Sequence, residues 1–397
     1  MSQSSARIAI IGGGLSGLTA AMLLEQQGVR DVVLFEARQT LGGRILSVDA
    51  AGAVVDAREP ALDRFDLGPS WFWPGLQPQL DRLVDELGLQ RFAQFEDGDL
   101  LVERTPREAP LRMKGYASSP PSMRLAGGTG ALIAAIRGRL DHTQLRTAEA
   151  VRRLCQVGSH IELHSEDASG ALTTWRVEQV LLALPPRLAE DRITFEPPLP
   201  GKLASRWRAT PTWMAPHAKY VAMYDAPFWR DQGLSGSARS ALGPMAEIHD
   251  VSMPGGHAAL FGFVGVPARV RRTVTEAELR AHCRAQLGRL FGERAATPVA
   301  DALKDWAQDA LTATAADQDS GGQHGEAPPR CADHGPWQGC LTGIGSEWST
   351  QFPGYLAGAV PGEGGLNAAA MIEQARKAYV TLNLEPELDH ANPAAAM

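Results

Sequence analysis

The sequence predicts an α/β fold, with a doubly wound, Rossmann-like domain joined to a second, mixed α+β domain. Three observations carry this. Arg7–Ile11 is a short apolar run with the length of a buried parallel strand. Gly12-Gly13-Gly14-Leu15-Ser16-Gly17 follows at once and opens a helical stripe of Leu15, Leu18, Met22, Leu23 and Leu24 that stops at Gly28. Asp31–Glu36 then returns as a second strand ending in an acid. Strand, glycine-rich turn, helix and strand make one βαβ unit. At roughly 150 residues per domain, 397 residues suffice for two or three domains.

Further along, Leu80–Leu89 has the pattern of an amphipathic helix. Gln94–Arg104 and Ala109–Met113 read as short strands, with Asp97-Gly98 as a turn. Thr129–Leu140 is helical and entered through Gly127-Gly128. Gln144–Gly170 alternates like a hairpin, and Val177–Leu184 is a buried strand ended by Pro185-Pro186. Pro197–Pro200 marks a crossover. His217–Tyr224 and Ala258–Val266 read as sheet strands and Glu276–Phe291 as a helix. Residues 309–337, rich in Ala, Thr, Gly, Asp and Pro, form a long loop, and such loops are usually functional or mobile. The tail from Tyr355 to about Leu382 is helical but interrupted at Pro361–Gly365. The domain division expected is 1–68, 122–194 and 339–397 for the Rossmann-like part, and 69–121 with 195–338 for the other.

Composition narrows the function classes. Hydrophobic residues at 44% and charged residues at 21% are those of a globular chain. A net charge of −7 argues against partners such as nucleic acid or an anionic membrane surface. Apolar runs such as Ala258–Val266 are far too short to span a bilayer. Four cysteines make no disulfide scaffold, and the polar start Met1–Ala6 leads straight into a strand. A cytoplasmic protein is expected, with a homodimer as the candidate assembly.

The glycines point to a dinucleotide. In Gly12-x-Gly14-x-x-Gly17 the first permits a tight turn, the second a close approach of backbone to pyrophosphate, and the third close packing of helix on strand. Ser16 lies at the helix start, where unpaired N–H groups and the positive end of the dipole suit phosphates. Glu36, at the end of the second strand, is placed to accept hydrogen bonds from ribose hydroxyls.

At Glu36-Ala37-Arg38 through Gly42-Gly43-Arg44 the chain resembles the flavin-containing amine oxidase family. Asp66-Leu67-Gly68-Pro69-Ser70-Trp71 resembles that family's flavin-facing turn, and Gly127-Gly128-Thr129-Gly130 its usual helix start. Val151 falls where a strand residue contacts adenine, and Ala183-Leu184-Pro185-Pro186 matches a strand end of the family. Gly343-Ile344-Gly345-Ser346-Glu347, followed by Pro353-Gly354-Tyr355-Leu356-Ala357-Gly358-Ala359, resembles the closing FAD motif. These segments occur in the family's order over most of the chain. The resemblance implies FAD as cofactor, with Arg44 holding the diphosphate and Glu347 the ribityl chain. Gly354 would break the chain before a helix starting near Tyr355, whose N-terminus would face the flavin edge where negative charge gathers.

The resemblance also assigns chemistry. Lys219, in His217-Ala218-Lys219-Tyr220-Val221-Ala222-Met223-Tyr224, matches the catalytic lysine, which holds a water near the flavin and assists proton movement and reoxidation by O2. The alternative is a lysine whose stem lies along the sheet while its head reaches water. Tyr355 matches one wall of an aromatic cage that aligns the amine nitrogen. Trp71 and Trp73 would line the substrate pocket or pack in the core, and Trp306 is assigned to packing. The implied reaction takes a small-molecule amine to an imine, then to aldehyde or ketone and released amine or ammonia, with H2O2 as the other product.

Three departures from the family pattern stand out. The positions of the covalent cysteine and second cage tyrosine fall near Ala315 and Ala316, so FAD should be non-covalent and the cage lacks a wall unless His324 or Trp337 supplies it. The segment between Leu89 and Gly127 is too short for the helical substrate subdomain of larger members. Pro361–Gly365 interrupts the closing helix. Primary monoamines, polyamines and amino acids all remain candidate substrates, Arg239 being a candidate partner for an amino-acid carboxylate. A renalase-like oxidase of reduced nicotinamides, which the Lys219 strand argues against, and a non-catalytic flavin-binding protein are the alternatives. His324, Cys331, His334 and Cys340 match no standard zinc module, so no metal is expected, and Asp97, Asp99 and Glu103 read as a solvated acidic face.

Overall fold

The computed structural model describes residues 4–55, 61–318 and 325–360. A five-stranded parallel sheet lies at the centre of the first unit, in the order Gln144–Thr147, Val32–Glu36, Ile8–Ile11, Gln179–Leu182, Leu341–Gly343. The central strands Ile8–Ile11 and Val32–Glu36 are buried on both faces, which explains their apolar runs, whereas the edge strand Gln144–Thr147 is polar and largely exposed. Ile8, Ile10, Val32 and Leu34 point to one face, against the helices Leu15–Gln26 and Gly130–Arg137. Ala9, Ile11, Val33 and Phe35 point to the other, packing on Val151, Leu163 and Trp175 of a second, mainly antiparallel sheet and on Trp207 of helix Gly201–Ala209.

The second unit is a seven-stranded sheet: Ala300–Asp305, Ala218–Tyr224, Ala258–Val264, Met245–Asp250, Leu234–Ser240, Asp99–Glu103, Leu111–Lys114. Neighbours are antiparallel except Leu234–Ser240, which pairs in parallel with Asp99–Glu103. Alternation along Ala218–Tyr224 decides the site. Tyr220, Ala222 and Tyr224 face the helix Glu276–Phe291, whose start is fixed by a capping box between Thr275 and Glu278. Val221 and Met223 face the other way, against Val48, Phe65 and Leu67 of the first unit. Lys219 shares their parity and so lies on the inward face.

Two expectations are corrected here. Asp97-Gly98 is a turn, with Gly98 at φ +105°, but it closes no hairpin: Arg91–Ala93 pairs with Met123–Leu125, while Asp99–Glu103 pairs with Leu111–Lys114. Glu103 is buried rather than solvated. It pairs with Arg289 at 3.0 Å and accepts from Ser240 at 2.6 Å, and these partners hold its carboxyl below the usual range although burial pushes it up. The expected continuation of the closing helix, Pro361–Gly365 included, lies outside the described residues. Within them only the 3-10 turn Ala357–Ala359 follows Tyr355.

Candidate active site

A continuous cleft of about 890 Å³ runs from the glycine turn across the sheet ends to the inward face of the seven-stranded sheet. That is at the upper end of small-molecule sites. The glycine turn tests whether the nucleotide half fits an extended cofactor. A Cβ on Gly17 would stand 2.0 Å from the Gly12 carbonyl oxygen, and Gly12 itself has φ +113°, so both are required by the turn and by the helix lying close on its strand. Gly14 differs: its nearest heavy atom would be 3.7 Å from a Cβ, and it lines the cleft. The open space there is on the ligand side, as a backbone-cradled pyrophosphate requires.

Gly12, Gly14, Ser16, Glu36, Ala37, Arg38, Gly43 and Arg44 all line this half of the cleft, with Val151 at its far end. Gly17 lies behind the lining and supports it. Glu36 is fixed at its root: one carboxylate oxygen accepts from the Gly13 amide at 2.9 Å and the other from the Arg38 amide at 2.8 Å. Arg38 reaches over to Asp309 at 2.9 Å and Thr312 at 3.1 Å, tying down the long loop so that Ala310, Leu311 and Thr312 wall the cleft. Burial pushes the Asp309 carboxyl up, but Arg38 and Lys304 together hold it below its usual range.

Arg44 and Glu347 are brought together. Arg44 Nη1 bonds Glu347 Oε1, Nη2 bonds Oε2 at 2.9 Å, and Nη2 also reaches Ser346 Oγ at 3.2 Å. Leu356 lines the cleft, whereas Glu347 is buried behind the wall and reaches the cofactor groove only through Arg44.

Gly68, Pro69, Ser70 and Trp71 form the turn between the two halves, and Lys219 stands over it. Its Nζ donates to the Gly68 carbonyl at 3.0 Å and to Ser70 Oγ at 2.6 Å, 4.0 Å from the Phe261 ring centre. At 1% exposure the ammonium does not reach water, which removes the snorkelling alternative. Burial lowers its pKa to about 7, against the pull of Asp66 and with the push of Arg124. Lys219 can therefore release and regain a proton near neutrality.

Sheet register sets the substrate half. Lys219 is cross-strand partner of Phe263, and Phe263 of Glu247, so the three form a row on one face. Trp71 packs on this face edge-on or tilted, with ring centres 5.0 Å from His249, 5.2 Å from Phe261 and 6.3 Å from Phe263, and its indole N–H donates to Gln94 at 2.7 Å. Trp71, Trp73 and Tyr355 all line the cleft, Tyr355 being 37% exposed. Trp306 is a packing residue, as expected, buried with its indole N–H on the Leu67 carbonyl at 3.0 Å.

Other expectations fare differently. Trp337 does not rebuild the cage: it is fully buried on the far side of the parallel sheet, bonded to the Pro197 carbonyl at 2.8 Å. His324 lies outside the described residues. Ala315 and Ala316 are exposed and absent from the cleft wall. Arg239 is also exposed and does not line the cleft, but it is the cross-strand partner of Glu247, 4.0 Å away, and so continues the row beyond it on the same face. The described residues contain no cluster of metal-ligating side chains. Sequence reasoning missed Glu247. It is a carboxylate lining the substrate half, and a hydrogen bond from His249 at 3.2 Å holds its carboxyl below the usual range. It also missed the buried Asp66–Thr129 pair behind the turn Gly68–Trp71. Only the register and the fold bring these residues to the cleft, although Asp66 stood within a quoted motif.

Comparison with known proteins agrees with this geometry. A family model for flavin-containing amine oxidoreductases matches residues 108–372, and one for NAD(P)-binding Rossmann-like domains matches residues 10–87. Putrescine oxidase of Kocuria rosea is 24% identical over 91% of this chain and 96% of its own length. The flavin-containing amine oxidase B of Cavia porcellus is 24% identical over 92% of this chain and 86% of its own. Among solved structures, wild-type putrescine oxidase bound to putrescine superposes with a TM-score of 0.71 at 21% identity, covering 94% of this chain and 100% of that one. Cyclohexylamine oxidase from Brevibacterium oxydans gives 0.73 at 19% identity, covering 94% and 99%. The chain belongs to the flavin-containing amine oxidoreductase family and is an FAD-dependent oxidoreductase that acts on small-molecule amines.

Proposed function

We propose that the protein oxidises the C–N bond of a small amine that carries a second cationic group, with O2 as acceptor. In balance, one primary amine and one O2 give one imine and one H2O2, the carbon next to nitrogen losing a hydride equivalent and the nitrogen a proton. Water then hydrolyses the imine to a carbonyl compound and ammonia. Non-covalently bound FAD supplies the two-electron acceptor. Gly12, Gly14, Ser16, Glu36 and Arg44 would hold its nucleotide half, with Arg38 beside them and Glu347 behind Arg44.

The chain's own groups have distinct tasks in this reading. Trp71 and Tyr355, both in the cleft wall, supply aromatic rings to align the amine and exclude water. Lys219, poised near neutrality and held on Gly68 and Ser70, takes up and returns a proton beside the reacting centre. The carrying observation is the row Lys219–Phe263–Glu247. With strands about 4.8 Å apart, it sets a carboxylate roughly 10 Å across the sheet from the ammonium position. Glu247 shares its charge with His249 at 3.2 Å and Arg239 at 4.0 Å, which keep it anionic, and in this reading its partly exposed carboxylate also receives a distal ammonium; the Kocuria relative is named for a diamine, putrescine. The cysteines are free thiols, in keeping with a reducing compartment such as the cytoplasm.

The test is an absorbance spectrum of the purified protein, followed by anaerobic mixing with diamines, monoamines, amino acids and reduced nicotinamides. Flavin bands that vanish with a diamine and return in air support the reading. Bleaching only by nicotinamides would favour the renalase-like oxidase, and no bleaching by any of them the non-catalytic protein.

A further inference from the structure

Behind the flavin-facing turn, three ionisable side chains from three strands are buried together. Asp66 comes from Arg64–Asp66, Arg124 from Met123–Leu125 and Lys219 from Ala218–Tyr224, and each is at most 4% exposed. Two cations and one anion in an apolar wall are expensive to bury, so their arrangement needs a reason beyond packing.

The hydrogen bonds supply it. Asp66 Oδ1 accepts from the Ser47 hydroxyl, the Thr129 amide and the Thr129 hydroxyl, each at 2.9 Å. Thr129 Oγ1 is also 3.0 Å from the Pro69 carbonyl. Lys219 Nζ donates to Gly68 and Ser70, the residues on either side. Three consecutive residues of the turn are thus held from two directions, by the lysine at 68 and 70 and by the Asp66–Thr129 pair at 69. The glycine entry to the helix makes this approach close: a Cβ on Gly128, which has φ +71°, would stand 2.7 Å from Asp66 Oδ1. Arg124 is held elsewhere, on the carbonyls of Val251 at 2.8 Å and Ser252 at 2.9 Å, and it packs on Phe92.

We propose that Asp66 is the positioning residue for Lys219: it supplies the negative charge that the lysine faces and, through Thr129, fixes the turn that aims Nζ. The charged groups facing Lys219 are Asp66, Arg124 and its cross-strand partner Lys304, the last turned to Asp309 at 2.6 Å, and the Phe261 and Phe263 rings complete the surroundings. Burial also pushes the Asp66 carboxyl up, against the pull of Lys219, Arg124 and Thr129, so that carboxylate and ammonium sustain each other. The charges of Asp66 and Arg124 act on Lys219 in opposite directions. Asp66 favours the ammonium, whereas burial and Arg124 favour the free amine. Removing the carboxylate should therefore tip Lys219 further toward the neutral form.

The proposal rests on the reading of Lys219 as the proton-handling group, but its test does not need turnover. The sequence has only five lysines, Lys114, Lys202, Lys219, Lys304 and Lys377, so a protein labelled with carbon-13 at lysine Cε gives a simple spectrum. In the FAD-loaded protein the Lys219 signal is the one missing from Lys219→Met. Its titration midpoint should lie near 7 in the native chain. In Asp66→Asn it should fall by about one unit or more, the usual effect of a lost opposite charge at close range. A midpoint unchanged to within a few tenths would overturn the proposal, since a merely structural role leaves it in place. Thr129→Val serves if Asp66→Asn fails to fold. It retains the carboxylate but removes the hydroxyl shared between Asp66 and Pro69, so the midpoint should fall less than in Asp66→Asn while the Lys219 Cε shift moves and kcat falls with little change in KM. An unmoved shift and an unmoved kcat in that variant would equally sink it. Failure here leaves amine oxidation intact, whereas flavin that no amine bleaches would remove the proton-handling role without touching the Asp66–Lys219 coupling.

Discussion

Arg44 and Glu347 are 303 positions apart in the chain, yet the guanidinium, itself in the wall of the nucleotide cleft, grips both oxygens of the carboxylate buried behind it. The pair joins the first βαβ unit to the last described segment, so the cofactor groove is closed by residues from opposite ends of the sequence. Loss of Arg44 would leave the Glu347 carboxylate buried and uncompensated, and loss of Glu347 would release the partly exposed guanidinium from its geometry.

Glu347→Gln and Arg44→Met are therefore expected to weaken FAD retention by tenfold or more, the scale of one lost charged hydrogen bond at about 1.5–3 kcal/mol. The flavin absorbance remaining after gel filtration, against that of the native protein, is the measurement. Equal retention in all three would show the pair to be incidental.

Lys219→Met should keep FAD and slow turnover or reoxidation. The pH dependence gives a sharper check. The free amine is the form that accepts a proton, and its population rises as pH passes upward through about 7. Activity of the native enzyme should rise through that range, and this limb should be missing from Lys219→Met. A second limb from deprotonation of the substrate's own amine should survive in both.

Glu247→Gln removes the charge but not the shape of the substrate wall. The expected outcome is a KM for diamines raised about tenfold, the value of a partly exposed ion pair with a charged ligand near 1.4 kcal/mol, with monoamines unaffected. Parallel steady-state assays with one substrate of each kind decide it, and equal changes for both would remove Glu247 from recognition.

Tyr355→Leu keeps an apolar wall and loses the ring quadrupole. Because Tyr355 is partly exposed, the loss in kcat/KM should be about two- to fivefold. An unchanged kcat/KM would leave the ring as wall and nothing more.

Gly17→Ala is expected to be disruptive, because its Cβ would sit 2.0 Å from the Gly12 carbonyl. Thermal unfolding should show Tm lowered by several degrees together with loss of FAD. A stable, flavin-loaded variant would contradict the steric account.

The residues most legible in the sequence are those whose constraint is local. Gly12 and Gly17 answer to a backbone angle and a contact within six residues, and Glu36 to the end of its own strand, so a short pattern betrays them. Lys219 was legible because an ammonium among Tyr220, Val221 and Met223 violates the composition of a buried strand. Glu247 was not, because a glutamate at a half-exposed strand position is ordinary until the register sets it beside Phe263. Trp337 misled for the converse reason: its loop looked free to reach the cleft, but the aromatic edge contact with Phe195 anchors it in a core. The role of Asp66 depends on Thr129 and Lys219, far away in sequence, which no local pattern encodes.

The parallel pairing of Asp99–Glu103 with Leu234–Ser240 has a consequence for how the protein is made. During synthesis the hairpin of Asp99–Glu103 and Leu111–Lys114 leaves the ribosome first, and its partner strand follows only on the order of ten seconds later at usual elongation rates. In that interval a strand edge carrying Leu100, Leu101 and Val102 is open to pairing with a neighbouring nascent chain. Asp99, Glu103, Arg112 and Lys114 flank it with charge on both strands, so the acids and bases of this hairpin also act as guards against aggregation while the sheet waits to be completed.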